Sequence, residues 1–255
     1  MQIIDAHVHP FETISQRSGR YSEGVKDPEF FREDLERAGI GHCCGSVIER
    51  VDGRSWEPIR ELNEAALRLR DLYDGFYTPG IHIHPAFPKE SCEEIERMAR
   101  QGVRLIGELV PYMMGWDSYA AKEAGEIFTL AQEMGMTVNV HPTTDEDLER
   151  FAALYPHLTI IVAHPRDGAD YQENLERIRR HENVYLDLSG TGLFRYGMLR
   201  HGLDKVGKDR ILFGTDYPIC NPGMYVEAVL FESLSDEELE SVMEKNARRL
   251  ILKEE

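Results

Sequence analysis

Eight short runs of β-branched and apolar residues recur along the chain, each followed by an amphipathic stretch with helical spacing. This alternation limits the fold more than any other feature. The runs are QIIDAHV (2–8), HCCGSVIE (42–49), GFYTPGIHI (75–83), VRLIGELV (103–110), MTVNVH (136–141), LTIIVAH (158–164), NVYLDLS (183–189) and RILFGTD (210–216). Between them lie helical patterns such as DPEFFREDLERAG, with Asp27-Pro28 as its start signal and Gly39 as its stop, then WEPIRELNEAALRLRDLY, SYAAKEAGEIFTLAQEMG and the closing SDEELESVMEKNARRLIL. Eight βα units of about 32 residues predict an α/β protein of the (β/α)8 TIM-barrel type. A doubly wound open sheet is the competitor, but no Gly-x-Gly-x-x-Gly follows any strand. The 255 residues suit one barrel domain spanning 1–255. The one long irregular stretch, 11–27, is expected to cover a site from above.

Barrels of this kind carry their chemistry at the C-terminal ends of the strands. Here those ends hold His7-Val8-His9-Pro10, His82-Ile83-His84-Pro85, Glu108, His141-Pro142, His164-Pro165 and Asp216-Tyr217-Pro218. The prolines stop the ladders, since a proline has no N–H to continue one. Strict alternation puts Ile3, Asp5, His7 and His9 on one face, Ile106, Glu108 and Val110 on another, and Leu212, Gly214 and Asp216 on a third. If those faces look inward, imidazoles and carboxylates meet in a small space, a donor set that suits a borderline divalent metal such as zinc. Without a partner, a buried carboxylate there would be costly. The bland alternative for each histidine is a capped strand end; for Glu108 it is a salt bridge to Arg104 or Arg166.

The set of motifs IIDAHVHP, VNVHP, IVAHP, VYLDLSG, ILFGTDYP and KNARRLI, in this order, resembles the amidohydrolase superfamily, in particular the amidohydrolase-2 group of metal-dependent barrel hydrolases and decarboxylases. The resemblance covers essentially the whole chain. It implies His7, His9, His141 and Asp216 as metal ligands, with Asp216 also the catalytic base, and His164 as a second-metal ligand or acid/base. It favours the first His-x-His pair over the second. In place of the modified lysine that bridges two metals in many relatives, this chain has Glu108, which is similar to the TatD-like branch; one or two ions are both compatible. Zinc is the expected metal, with manganese or iron as alternatives. Asp5 is a candidate partner fixing the tautomer of a ligand imidazole.

The implied activity is hydrolysis of an amide, cyclic amide, ester or lactone in a small polar substrate by a metal-activated water. The alternatives are non-hydrolytic decarboxylation of an unsaturated or aromatic acid, a TatD-like nuclease, and a binding barrel without catalysis. Arg166, Tyr112, Trp116, His84 and Tyr217 are candidate substrate contacts; His82 reads as a structural polar residue. Arg17, Arg20 and Arg195 lie on neighbouring loops. The net charge of −17 argues against a nucleic-acid partner and suggests a cytoplasmic protein. No signal peptide or membrane span is expected, and homo-oligomerisation is left open. Cys43, Cys44, Cys92 and Cys220 form no Cys-x-x-Cys pair and read as reduced thiols.

Overall fold

A computed structural model of the chain describes residues 1–254. Eight parallel strands pair in chain order: β1 (Ile3–Val8), β2 (Ile40–Gly45), β3 (Tyr77–Ile81), β4 (Leu105–Leu109), β5 (Thr137–Val140), β6 (Thr159–Val162), β7 (Val184–Asp187) and β8 (Ile211–Leu212). The circle closes between β8 and β1. There the Ala6 N–H donates to the Phe213 carbonyl (2.9 Å), the Asp216 N–H to His7 (2.8 Å) and the His9 N–H to Tyr217 (2.8 Å). This is the (β/α)8 barrel that the alternating runs predict.

The outer layer is α1 (Pro28–Arg37), α2 (Glu57–Tyr73), α3 (Pro88–Arg100), α4 (Pro111–Met114), α5 (Gly125–Glu133), α6 (Asp145–Leu154), α7 (Gly168–Arg180), α8 (Met198–Val206), α9 (Pro222–Leu230) and α10 (Asp236–Glu240). Local chemistry sets their starts. The Asp27 carboxylate accepts the Phe30 N–H at 2.8 Å with Pro28 in the first turn of α1. Thr144 caps α6, whose first turn carries Asp145, Glu146 and Asp147 against the positive end of the helix. No helix among the described residues is long and apolar enough to cross a membrane.

Two apolar layers lie between strands and helices. Ile81, Ile106, Val138 and Ile160 pack against Ile95, Phe128, Phe151 and Leu175 on one side of the barrel. Val8, Cys43, Ile211 and Phe213 pack against Phe31, Leu35, Tyr73 and Val229 on the other. Truncating a ring such as Phe31 to alanine would cost about 3–5 kcal/mol. A third, smaller cluster plugs the barrel floor: Ile4, Ala6, Cys44, Leu105, Ile161 and Leu212 meet Ala247, Leu250 and Ile251 from the wide-turned helical segment Arg248–Leu252 and the residue before it. The Thr137 hydroxyl donates to the Leu250 carbonyl from inside the barrel. The mouth is thus left as the open end.

Several expectations from the sequence are corrected. The strands are shorter than the apolar runs: His141, His164 and Asp216 lie just beyond the ends of β5, β6 and β8, at the mouth. The helix expected from Ser118 starts only at Gly125, after a 3-10 turn at Lys122–Ala124. Strict alternation also fails in two strands. The pairing of β1 with β2 slips between Asp5 and Val8, and that of β4 with β5 between Ile106 and Leu109. Ile4 and Ala6, not Ile3 and Asp5, therefore fill the floor below His7, and Ile106 packs outward while Glu108 faces the barrel axis. An extra residue in one strand reverses the faces beyond it. Only β8 keeps its parity: Leu212 joins the floor and Gly214 lies against His7 and Asp187, below Asp216.

Candidate metal centre

The slip in β1 turns two consecutive odd-numbered side chains over the mouth. The His7 Nδ1–H donates to Asp187 Oδ2 at 2.9 Å, and the His9 Nδ1–H donates to the Ser46 carbonyl at 3.1 Å. With both Nδ1 protons engaged, the Nε2 atoms point inward, 3.2 Å apart. Glu108 Oε2 lies 3.5 Å from His7 Nε2 and 3.4 Å from His9 Nε2; Asp216 Oδ1 lies 3.7 and 3.3 Å from the same atoms. The other oxygen of Glu108 faces a different pair. Its Oε1 is 2.9 Å from His141 Nδ1 and 3.3 Å from His164 Nε2, and those two nitrogens are 3.2 Å apart. His164 is oriented in turn by Ser189, whose carbonyl is 3.3 Å and hydroxyl 3.0 Å from His164 Nδ1.

Two donor groups with metal-binding spacing result, His7–His9–Glu108 and Glu108–His141–His164, and they share one carboxylate. The donor chemistry fits divalent cations. In each group imidazole nitrogens and a carboxylate oxygen converge, with Asp216 beside the first group, and a cation would relieve their opposed lone pairs. In the ion-free protein, protons do that work. Burial disfavours charge on His7, but Asp187 and Glu108 outweigh it and hold its pKa well above the usual histidine value. Burial opposes charge on His9 too, yet the hydrogen bonds to Asp216 and Glu108 lift it to about 9. Glu108 is buried, which would raise its pKa, but His7, His141 and His164 keep it well below the carboxylate range. Cation binding must therefore expel protons from this centre.

The sequence reading missed Asp187. It lies fully buried on β7 and takes hydrogen bonds from the His7 ring, the Asn139 amide (2.7 Å), the Ser189 N–H (3.0 Å) and the Ser189 hydroxyl. Burial pushes its pKa up, but His7, His164 and Ser189 bring it down to about 2. Its signal was present in the VYLDLSG run, an acid inside an apolar strand. The role expected of Asp5 is corrected: Asp5 accepts the backbone N–H of His7 (3.1 Å) and of Thr215 (3.0 Å), and Asp187 is the carboxylate that holds the His7 ring. Neither arginine proposed for Glu108 reaches it. Arg104 donates to the Ala99 and Val103 carbonyls, and Arg166 pairs with Asp170.

Above the centre is a cavity of about 320 Å³, lined among others by His9, Glu108, His141, His164, Arg166 and Asp216, with Ile48, Val110, Tyr112, Met113 and Ile219 as an apolar side. Tyr112 stands edge-on to His141, ring centres 5.4 Å apart. The remaining substrate candidates lie elsewhere. His84 Nε2–H donates to the Met114 carbonyl (2.8 Å), and Trp116 is buried against His84 and Tyr119. The Tyr217 hydroxyl donates to Asp34 (2.6 Å) and lines a separate cavity of about 650 Å³. Tyr21, Ser22, Gly24 and Val25 of the irregular stretch border that second cavity, so the stretch does not roof the centre as expected. His82 Nε2–H donates to Val47 (2.7 Å), and burial lowers its pKa to about 4.

Backbone geometry helps aim these groups. His164, Arg166 and Asp216 have φ of 64°, 60° and 66°, values that non-glycine residues seldom adopt. Gly190, at φ 66°, makes room for one of them: a Cβ there would sit 2.4 Å from His164 Nδ1.

Solved structures share the architecture. The chain is similar to 2,6-dihydroxybenzoate decarboxylase complexed with 2,6-dihydroxybenzoate (17% identity, 99% of this chain and 100% of that one, TM-score 0.75). It is similar to an uncharacterised TIM-barrel protein from Bordetella bronchiseptica (19%, 98% of each chain, 0.75). It is also similar to 5-carboxyvanillate decarboxylase from Novosphingobium aromaticivorans complexed with manganese and 4-hydroxy-3-methoxy-5-nitrobenzoic acid (16%, 99% and 96%, 0.73). At these identities the likeness establishes the fold. No curated protein matches the sequence. The amidohydrolase family model does, from residue 4 to residue 251, so the chain belongs to the amidohydrolase family that its strand-end motifs resemble.

Proposed function

We propose that this chain is a hydrolase dependent on two divalent ions, acting on a small amide, cyclic amide, ester or lactone. The observation that carries the reading is the placement of Glu108, whose two oxygens face two separate histidine pairs. His7, His9, Asp216 and Glu108 Oε2 would hold one ion; Glu108 Oε1, His141 and His164 would hold the other. Such ions lower the pKa of water from 15.7 to about 7 and polarise a carbonyl.

The chain's own groups do the rest. Asp216 sits at the rim with an oxygen 3.3 Å from His9 Nε2, placed to take a proton from the attacking water and return it to the leaving group. Asp187 fixes the His7 tautomer, and Ser189 fixes that of His164. The apolar side, Ile48, Val110, Tyr112 and Ile219, keeps bulk water from the substrate's back. A binding barrel without catalysis would leave this set of buried ionisable groups without a use. A nuclease would want a cationic track for the backbone; the cavity offers one cationic side chain, Arg166.

A second reading, decarboxylation of an aromatic acid, draws on the structural similarity to decarboxylases that act on such acids. Metal content and product analysis separate the two. Two equivalents of metal per chain, with turnover of lactones or cyclic amides to acids, support hydrolysis. One equivalent, with carbon dioxide released from hydroxybenzoates, would replace it with the second reading. Zinc is the first ion to test, then manganese and iron.

A further inference from the structure

The catalytic cavity has two unlike sides. One part of its lining is apolar; another is Gly190, Thr191 and Arg166. Arg166 is the one permanently charged cation among the lining residues described, in a chain whose net charge is −17. It also borders a neighbouring cavity of about 300 Å³ lined by Thr143, Thr144, Asp145, Leu148, Asp170 and Asn174. Arg166 therefore borders both spaces, with its guanidinium bonded to Asp170 on the neighbouring side.

The backbone is shaped to put it there. Arg166 has φ 60°, and its N–H donates to the Thr191 carbonyl at 2.7 Å. Gly192 closes against it so tightly that a Cβ at that position would lie 2.2 Å from the Arg166 carbonyl oxygen. A side-chain cation on a strained turn, clamped by the next loop of the barrel, is the arrangement expected of a ligand contact. Among the described residues its only ion-pair partner is Asp170, at 3.3 Å, with both side chains substantially exposed. An exposed pair of this kind contributes little, so Asp170 is easily displaced by a better-matched acid. A carboxylate meets the planar guanidinium fork with two parallel hydrogen bonds, which one oxygen of Asp170 does not achieve here.

We infer that the substrate carries a free carboxylate in addition to its scissile carbonyl, and that Arg166 is the residue that selects it. This rests on the hydrolase reading for the identity of the scissile group, though not for the carboxylate subsite itself. The cavity volume confines the substrate to a small molecule, with the carbonyl over Glu108 and Asp216, an apolar ring or chain along Tyr112 and Ile219, and the acid toward Arg166.

The test uses the metal-loaded protein and matched probes: carboxylated γ-lactones and cyclic amides, their methyl esters and the corresponding phosphonates. Turnover is read by kcat/KM, and binding of glutarate and benzoate against their amides by calorimetry. The expected result is a preference of about tenfold or more for acid over methyl ester, carried mainly in KM. Arg166→Met should bring that ratio close to one, and Arg166→Lys should keep part of it. Asp170→Asn should raise acid affinity about two- to threefold, a gain that misfolding cannot mimic. Equal handling of acid and ester by the wild type, or a preference that survives Arg166→Met, would overturn the inference; a stronger preference for phosphonate would overturn the carboxylate assignment. If no probe is turned over but acid binding still depends on Arg166, the hydrolase reading fails and the subsite stands.

Discussion

The chain contains two His-x-His-Pro segments with the same spacing, and the barrel uses them in opposite ways. At the end of β1, His7 and His9 turn their Nε2 atoms toward each other and toward Glu108 and Asp216. Beyond β3, His82 and His84 turn theirs away, each donating to a backbone carbonyl. The spacing is equal; the neighbours are not. Beside β1 stands the segment after β8, which brings Asp216, and one strand further round β7 brings Asp187. Beside the β3 pair stand the segment after β2 and the end of α4, where the Val47 and Met114 carbonyl oxygens accept the two Nε2 protons. An imidazole whose Nε2 carries a proton held by a carbonyl has no lone pair there for a cation, and burial without a carboxylate makes it less basic.

The contrast can be broken most sharply at the first pair. His7→Ala or Glu108→Gln should lower kcat/KM by about a thousandfold or more while the circular dichroism spectrum is retained; Glu108→Gln should also bring metal content down from two equivalents. Near-normal turnover in either would refute the assignment. Asp187→Asn is the next largest, with an expected loss of about 10- to 100-fold in metal affinity, because the His7 ring loses its anchor. Titration with a zinc chelator measures it.

The pairs should also differ in the sign of their pH response. His82 is held neutral down to about pH 4, against an ordinary value of 6.5, so between those values the unfolded chain binds more protons than the folded one. Its contribution to stability is complete above pH 6.5 and is lost as the pH falls toward 4. In the metal-free protein His9, raised to about 9, contributes stability that is complete below pH 6.5 and lost as the pH rises through 9. Urea melts of metal-free wild type and His82→Gln at pH 7, 5.5 and 4.5 test the first half: the variant should show the flatter dependence. The smallest effect belongs to His84→Gln, which should cost about 1 kcal/mol and alter kcat/KM by no more than about twofold. A large loss there would show that the second pair has a chemical role.

Much of this was legible beforehand. The barrel follows from eight alternating runs, and His7, His9, Glu108, His141, His164 and Asp216 all stand at strand ends that the prolines marked. Periodicity failed at Asp5 and Ile106, because a strand slip leaves no trace in composition; it appears only once the neighbouring strand fixes the register. Trp116, His84 and Tyr217 were placed near the substrate by loop position alone, and the packing of Tyr119 and Asp34 draws two of them away. Asp187 went unrecognised because its partners lie far off in sequence, on β1 and β5.

The circle of strands is sealed by its two extremes, with His7 and Ala6 bonded to the segment around Phe213 and Asp216, and Leu250 and Ile251 filling the base. During synthesis, then, His7 and His9 leave the ribosome long before Asp216, and Leu250 and Ile251 follow later still. The proposed cation site is therefore assembled only after Asp216 and the segment around Leu250 have been made and have docked.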